Sequence, residues 1–76
     1  MKYDYSKYEP PLCDEMKEVE EAYKEYIANK EDRKKYDKLK EAVYSLSLTL
    51  KMARSGGYLT PAILDEMSVY YWGLLL

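Results

Sequence analysis

Apolar residues recur at alternating separations of four and three along the first half of the chain. A first series has this spacing: Leu12, Met16, Val19, Tyr23 and Tyr26. Such spacing places the side chains on one face of an α-helix. Pro11 suits the start of this helix, and Asp14 and Glu15 follow where the helix dipole favours negative charge. The pattern predicts a helix over residues 12–29.

A second apolar series follows at the same helical spacing: Tyr36, Leu39, Val43, Leu46, Leu50 and Ala53. Neither Gly nor Pro separates the two series, so one long helix is conceivable. Continuing the first series, however, would place charged residues on the apolar face: Lys30, Arg33, Asp37 and Lys40. We therefore expect a break near Asn29, a residue that tolerates a left-handed position at a helix C-terminus. The second helix is predicted over residues 31–54.

Two features of the second helix leave alternatives. Residues 45–50 alternate between hydroxyl side chains and Leu, which is also the pattern of a strand. The helical series is three times as long, so a helix is favoured. Tyr44, Leu48 and Met52 add a second apolar face, which is typical of a helix packed between two neighbours.

Residues that typically end or begin a helix separate a third helix from the second. Gly56 and Gly57 end the second helix. Thr60 then serves as an N-cap and Pro61 as the first helical residue, which predicts a helix over residues 61–75. Leu59 and Leu64 stand where a hydrophobic staple forms around such a cap. The fold class is all-α: a three-helix bundle in which a helical hairpin carries a C-terminal third helix.

The first eleven residues form an N-terminal arm rich in tyrosine. Tyr3, Tyr5 and Tyr8 precede Pro10 and Pro11, and the prolines disfavour helix before them. We predict an extended arm over residues 1–11 and a single helical domain over residues 12–76. Two interpretations remain open, because the arm's tyrosines suit both docking on the bundle and docking on a partner.

The composition excludes several chemistries. The chain has 76 residues, a net charge of −2, one Cys and no His. Without His, neither a Ser-His nor a Cys-His nucleophilic pair can form, and most zinc sites are excluded. No Gly-rich phosphate loop is present. We therefore predict no catalytic, cofactor-binding or metal-ligating residues, no small-molecule substrate, and no enzymatic activity.

Charge is unevenly divided between the first two helices. Residues 12–29 carry six acids and two bases, a net −4, whereas residues 31–54 carry four acids and seven bases, a net +3. This division predicts pairing between antiparallel neighbours. The alternative is a nucleic-acid interface in which Arg33, Lys34 and Lys38 contact phosphates. The acidic start of the third helix disfavours a helix-turn-helix interface with nucleic acid.

The C-terminal segment has no charged residue after Glu66. A terminal helix of a three-helix bundle buries only one apolar face, so this segment leaves a second one unburied. Large exposed apolar patches mark interaction sites, and Trp and Tyr are enriched in them. The predicted protein interface consists of these residues: Val69, Tyr70, Trp72, Leu75 and Leu76. The alternative is a wider intramolecular core in which the tyrosine arm covers this face.

These features together predict a small, non-catalytic module that binds a protein or a second copy of itself and acts by occluding a surface. An inhibitor of a host protein, of the kind encoded by phages or mobile elements, is one function in this class. The alternative is a nucleic-acid-associated regulator that uses the basic stretch of the second helix. The lone Cys13 and the absence of an apolar signal segment predict a cytoplasmic protein without membrane contact.

Overall fold

The computed structural model describes residues 1–76 and contains three α-helices and no strand. The helices are α1 (Leu12–Ala28), α2 (Arg33–Ser55) and α3 (Pro61–Gly73). Helix α2 packs against both α1 and α3. The prediction of an all-α, three-helix bundle is therefore confirmed. The molecule measures 39 × 21 × 18 Å, because the 23-residue α2 sets its length.

The first apolar series forms the buried face of α1. Leu12, Met16 and Val19 are buried, while Tyr23 and Tyr26 lie half-buried at its far end. Ala22 is also buried and brings α1 close to α2. Asp14 and Glu15 occupy the first turn, near the positive end of the helix dipole.

The break between α1 and α2 lies near Asn29 as expected, although its mechanism differs. Asn29 has φ −142° and is not left-handed. Its side-chain amide instead donates to the Glu25 carbonyl at 3.0 Å, and its own carbonyl accepts from the Asp32 amide at 2.9 Å. Asp32 then caps α2 by accepting from the Lys34 amide at 2.9 Å. An Asp cap satisfies an otherwise unpaired helical N–H, so α2 starts at Arg33, two residues later than expected.

Helix α2 is continuous through residues 45–50, so the strand alternative is wrong. Leu39, Val43, Leu46 and Leu50 are all fully buried, and with the flanking Tyr36 and Ala53 half-buried this face is the apolar series found in the sequence. We refer to the four leucine and valine side chains as the α2 seam.

The second apolar face of α2 is not packed between neighbours. Tyr44, Leu48 and Met52 are all exposed. At about 100° per residue these three lie on the opposite side of α2 from the α2 seam. The expectation of a sandwiched helix was wrong because α1 and α3 both pack near the α2 seam and leave the outer face to water.

The α2–α3 turn has the structure that Gly57 and the Thr60–Pro61 pair predict. Gly57 has φ +82°, and the amides of Gly57 and Tyr58 donate to the carbonyls of Arg54 and Ala53 at 3.0 and 2.9 Å. This pair of bonds is a Schellman motif, which requires a left-handed residue and so favours glycine. Thr60 Oγ1 then accepts from the Ile63 amide at 3.2 Å and caps α3.

The N-terminal arm lies against the bundle rather than projecting from it. It is less extended than expected, because it contains a 3-10 turn over Tyr5–Lys7, whose Asp4 cap accepts from the Ser6 amide, and a second turn at Pro10 and Pro11. The 3-10 turn packs against α1, and Tyr3, Tyr5 and Tyr8 are half-buried against the core. Of the two interpretations of the arm, the structure shows docking on the bundle.

The α2 seam provides a stability test with a matched control. Leu46 is fully buried, whereas Leu48, two residues later on the same helix, is 45% exposed. We expect Leu46→Ala to lower the free energy of unfolding by about 2–5 kcal/mol and Leu48→Ala by less than about 1 kcal/mol. Denaturant unfolding followed by circular dichroism measures both. Equal losses for the two variants would contradict the assignment of the core face.

Candidate protein interface

Three of the five predicted interface residues form an exposed apolar stripe along α3 and just beyond its end. Val69 is 75% exposed, Trp72 is 39% exposed and Leu76 is fully exposed. Val69 and Trp72 are three residues apart and so lie on one side of the helix, and Leu76 follows three residues after the helix ends at Gly73. Met67 and Tyr71, which are buried, define the opposite side. We call Val69, Trp72 and Leu76 the α3 stripe.

The other two predicted interface residues are engaged inside the molecule. The Tyr70 ring makes edge-to-face contacts with Tyr71 and Tyr3, at centroid distances of 5.1 and 5.3 Å. Leu75 is half-buried, and its carbonyl accepts a hydrogen bond from the Tyr36 hydroxyl at 3.4 Å. The structure thus leaves Val69, Trp72 and Leu76 exposed and uses Tyr70 and Leu75 for packing.

The N-terminal arm occupies the surface next to this stripe. The Tyr3 hydroxyl donates to Glu66 Oε1 at 2.8 Å, and Lys2 Nζ lies 3.2 Å from the same oxygen. The Lys2 amide donates to the Tyr70 hydroxyl at 3.0 Å, and that hydroxyl donates to Met1 Sδ at 3.1 Å. Glu66 and Tyr70 are therefore the docking site of the arm, and sequence spacing alone did not reveal it.

Packing and hydrogen bonding alter the acidity of the groups that hold the arm. Burial, together with the hydrogen bond to Glu66, raises the pKa of Tyr3 to about 12. The bond from Tyr3 and the contact with Lys2 hold the pKa of Glu66 below its usual range. Burial also raises the pKa of Tyr71. The docked arm therefore favours a neutral Tyr3 phenol beside an ionised Glu66 carboxylate.

Nearby acids offset part of the positive charge of the predicted phosphate-contact residues. Arg33 pairs with Asp37 at 3.3 Å within α2, whereas Asp32 binds only the backbone amide of Lys34, whose ammonium group makes no ion pair. Lys38 lines an open hollow of about 480 Å³ between α1 and α2 whose charged lining is otherwise acidic: Glu18, Glu21, Glu25 and Glu41. An arriving phosphate would meet these carboxylates, which repel it.

One ion pair joins α1 directly to α2. Lys35 Nζ lies 3.0 Å from Glu25 Oε2, and this contact lowers the pKa of Glu25 and raises that of Lys35. Both partners are partly exposed, so the pair contributes little to stability. Its position agrees with the division of charge between the two helices.

The sequence did not predict a second apolar surface. The arm and the α2–α3 turn enclose an open groove of about 630 Å³ whose apolar lining includes Tyr8, Pro10, Pro11 and Leu12 together with Met52 and Tyr58. The residues come from three separate parts of the chain, so no periodic pattern marks them. Lys7 and Glu9 at its rim give it no net charge.

Comparison of the chain with protein-family models, with curated proteins and with solved structures finds no match. No helix combines the length and the hydropathy needed to span a membrane. No group of three or more Cys, Asp or Glu side chains has an arrangement suited to a metal ion. The function is therefore inferred from the surfaces of the chain itself.

Docking of the arm predicts that the Tyr3 phenol loses its proton at a higher pH than an exposed tyrosine. It also predicts that the folded chain loses stability at alkaline pH. Because the pKa of Tyr3 is raised above its unfolded value, its contribution is fully present below about pH 10 and is lost as the pH rises through about 12. Ultraviolet absorbance of tyrosinate should show a late phase that Tyr3→Phe diminishes. Tyr58→Phe, which changes an exposed ring, serves as the control and should leave that phase unchanged.

The acids around the basic stretch predict weak nucleic-acid binding. We expect duplex and single-stranded nucleic acid to bind more weakly than about 1 μM at physiological salt. Fluorescence anisotropy across a salt series measures this. Binding tighter than that limit, weakened by Lys34→Ala and Lys38→Ala, would contradict the expectation and favour the nucleic-acid alternative.

Proposed function

We propose that this chain is a small, non-catalytic protein-binding module that acts by covering a surface through the α3 stripe. Its simplest partner is a second copy of itself. The observation that supports this proposal is the exposure of Val69, Trp72 and Leu76 in a segment that carries no charged residue after Glu66.

Exposed apolar side chains are common on monomers, so their arrangement matters more than their number. The outer face of α2 also exposes Tyr44, Leu48 and Met52, but Lys51 lies between the last two in the sequence, and Lys40 and Glu41 precede Tyr44 by four and three residues. Charged neighbours keep a surface hydrated, and charged residues are depleted from interface cores. Beside the α3 stripe, the nearest acids are Asp65 and Glu66, which precede Val69, and no charged residue follows them, so the stripe is the better candidate.

Trp72 is the expected anchor of the interface. It is the single tryptophan of the chain and is 39% exposed, so a large aromatic surface is available to a partner. Tryptophan is enriched among the residues that contribute most to binding, and its two rotatable side-chain bonds limit the entropy lost on binding. Val69 and Leu76 extend the contact on either side of it.

A two-fold symmetric dimer suits a single stripe on one helix. Such an interface uses the same surface on both copies, and it closes without leaving a second patch exposed. Binding to a different protein uses the same residues, with the partner's apolar surface replacing the second copy. In both cases the module acts by occlusion, and none of its side chains is assigned a chemical step.

This proposal predicts that changes in the α3 stripe affect association more than folding. Burying the remaining indole surface contributes at most about 2–3 kcal/mol, so Trp72→Ala should weaken association by up to roughly 100-fold. Leu76→Asp should act in the same direction, because it places a charge in the interface. Light scattering measures the mass, and circular dichroism measures the helix content, which should change little.

Ile27→Asp is the matched control for these variants. Ile27 is 44% exposed on α1, close to the exposure of Trp72, but it lies outside the α3 stripe. It should leave the mass unchanged. A wild type that remains monomeric at tens of micromolar, with Trp72 fluorescence already blue-shifted and protected from quenchers, would contradict self-association through this face.

A further inference from the structure

The middle of α2 carries no charge on any of its sides. Residues 42–50, about two and a half helical turns between Glu41 and Lys51, include no Asp, Glu, Lys or Arg. The solvent side of a surface helix is normally charged or strongly polar. Here it presents Tyr44, which is 57% exposed, and Leu48, which is 45% exposed. The solvent side of this stretch therefore has the composition of a helix face that another surface covers.

Two further exposed side chains continue this face beyond the uncharged stretch. Met52 follows Leu48 by four residues and so lies on the same side of α2, and it is 72% exposed. Tyr58 is 79% exposed, and its ring lies over Gly56 just after the end of α2, 3.0 Å from where an added Cβ would stand. Met52 and Tyr58 both line the apolar groove of about 630 Å³ that the arm and the α2–α3 turn enclose. We call Tyr44, Leu48, Met52 and Tyr58 the outer patch.

The area of the outer patch fits one side of a stable dimer. The exposed fractions of its four side chains correspond to roughly 600 Å². The largest apolar patch on a typical monomer covers about 300–600 Å², so the outer patch lies at the upper end of that range. The groove adds the surfaces of Tyr8, Pro10 and Pro11. Together these surfaces approach the area of about 800 Å² that each partner buries in a stable complex.

A second copy of the chain fits the outer patch in an antiparallel orientation. Tyr44, Leu48 and Met52 form a ridge of residues spaced by four, and such ridges interdigitate when two helices pack together. With a two-fold axis at Leu48, Tyr44 of one copy lies opposite Met52 of the other. Because Met52 lines the groove, the Tyr44 ring of each copy then enters the groove of the other. Lys7 and Glu9 at the rim of the groove offer polar partners to the hydroxyl of that ring.

Charge favours the antiparallel orientation as well. Glu41 precedes Leu48 by seven residues, and Lys51 follows it by three. In the antiparallel pair, Glu41 of one copy therefore lies on the same half of the interface as Lys51 of the other, about 6 Å away along the helix axis. A parallel pair instead places each charge beside its own copy, where the two repel. Both residues stand at the ends of the uncharged stretch, where an interface has its polar rim.

We infer that two copies of this chain associate through their outer patches, antiparallel about a two-fold axis at Leu48, with Tyr44 of each copy in the groove of the other. This surface is separate from the α3 stripe, so the inference does not depend on the function proposed above. Where both surfaces associate, two different two-fold interfaces build an assembly larger than a dimer.

Cross-linking at the two-fold axis tests this pairing. Leu48→Cys is made in a Cys13→Ser background, so that its thiol is the only one, and is treated with a short bismaleimide at low micromolar concentration. A residue on the axis faces its own copy, so most chains should be joined as dimers. Ile27→Cys in the same background is the control, because Ile27 is 44% exposed, and it should remain largely unjoined. Equal yields for the two variants would overturn the inference.

A mixture of two cysteine variants tests the orientation. Tyr44→Cys and Met52→Cys, each in the Cys13→Ser background, should cross-link to one another when mixed and equilibrated, because the two positions lie opposite each other. Each variant alone should cross-link poorly, because its two thiols are separated by about 12 Å along the helix axis. Efficient cross-linking of Tyr44→Cys to itself would overturn the antiparallel pairing.

The mass of single variants separates this inference from the proposed function. Leu48→Asp should raise the dissociation constant of the outer-patch pair by at least about tenfold, because it buries a carboxylate without a partner, and should leave the helix content unchanged. Light scattering measures the mass, with Ile27→Asp as the control. A mass that falls with Trp72→Ala but not with Leu48→Asp would overturn this inference and leave the proposed function standing. A mass that falls with Leu48→Asp but not with Trp72→Ala would support the outer patch and contradict self-association through the α3 stripe.

Discussion

The burial of the α2 seam is the interaction on which the rest of this structure depends. Leu39, Val43, Leu46 and Leu50 are completely removed from water, and both α1 and α3 pack on the helix that carries them. A chain of this length buries a smaller fraction of its surface than a larger domain does, so it relies on few side chains. Tyr44, Leu48 and Met52 on the opposite side of α2 stay exposed, because both neighbouring helices pack near the α2 seam.

Tyrosine replaces phenylalanine throughout this chain and sets how its outer layer is built. The sequence has ten Tyr and no Phe. A tyrosine packs its ring against apolar neighbours while its hydroxyl needs a hydrogen-bond partner or water. Tyr3 packs its ring against the core and donates its hydroxyl to Glu66. Tyr36 packs its ring edge-to-face on Tyr26 and donates its hydroxyl to the Leu75 carbonyl. Tyrosines therefore join the arm and the C-terminal end of the chain to the bundle.

The distribution of charge leaves one face of the molecule apolar and uncovered. Acids of α1 and bases of α2 face each other, and Glu66 at the middle of α3 is bound by the arm. Beyond Glu66 the chain has only uncharged residues, and those that neither the core nor the arm covers form the α3 stripe. This contrast between compensated charge and uncovered apolar surface supports an association role for α3.

The sequence by itself determined the three helices, the core faces of α1 and α2, and the helix ends to within two residues, since α3 ends at Gly73 and not at residue 75. Helical spacing selected the buried residues of α1 and α2, because a side chain repeats its direction every three or four residues in a helix. Gly57 and the Thr60–Pro61 pair marked the α2–α3 turn, because few residues satisfy a left-handed position or an N-cap. The start of α2 at Arg33 was missed, although Asp32 is itself a residue favoured at an N-cap.

Tertiary structure alone decided which of the apolar faces remain exposed and where the arm docks. Spacing identified Tyr44, Leu48 and Met52 as a face but not whether a neighbour covers it, because coverage depends on how many helices meet at α2. Tyr70 belonged to the same segment as Trp72 in the sequence, yet the arm covers one and leaves much of the other exposed. Contacts between residues 63 or more positions apart leave no periodic signal in one sequence, so only the folded chain reveals them.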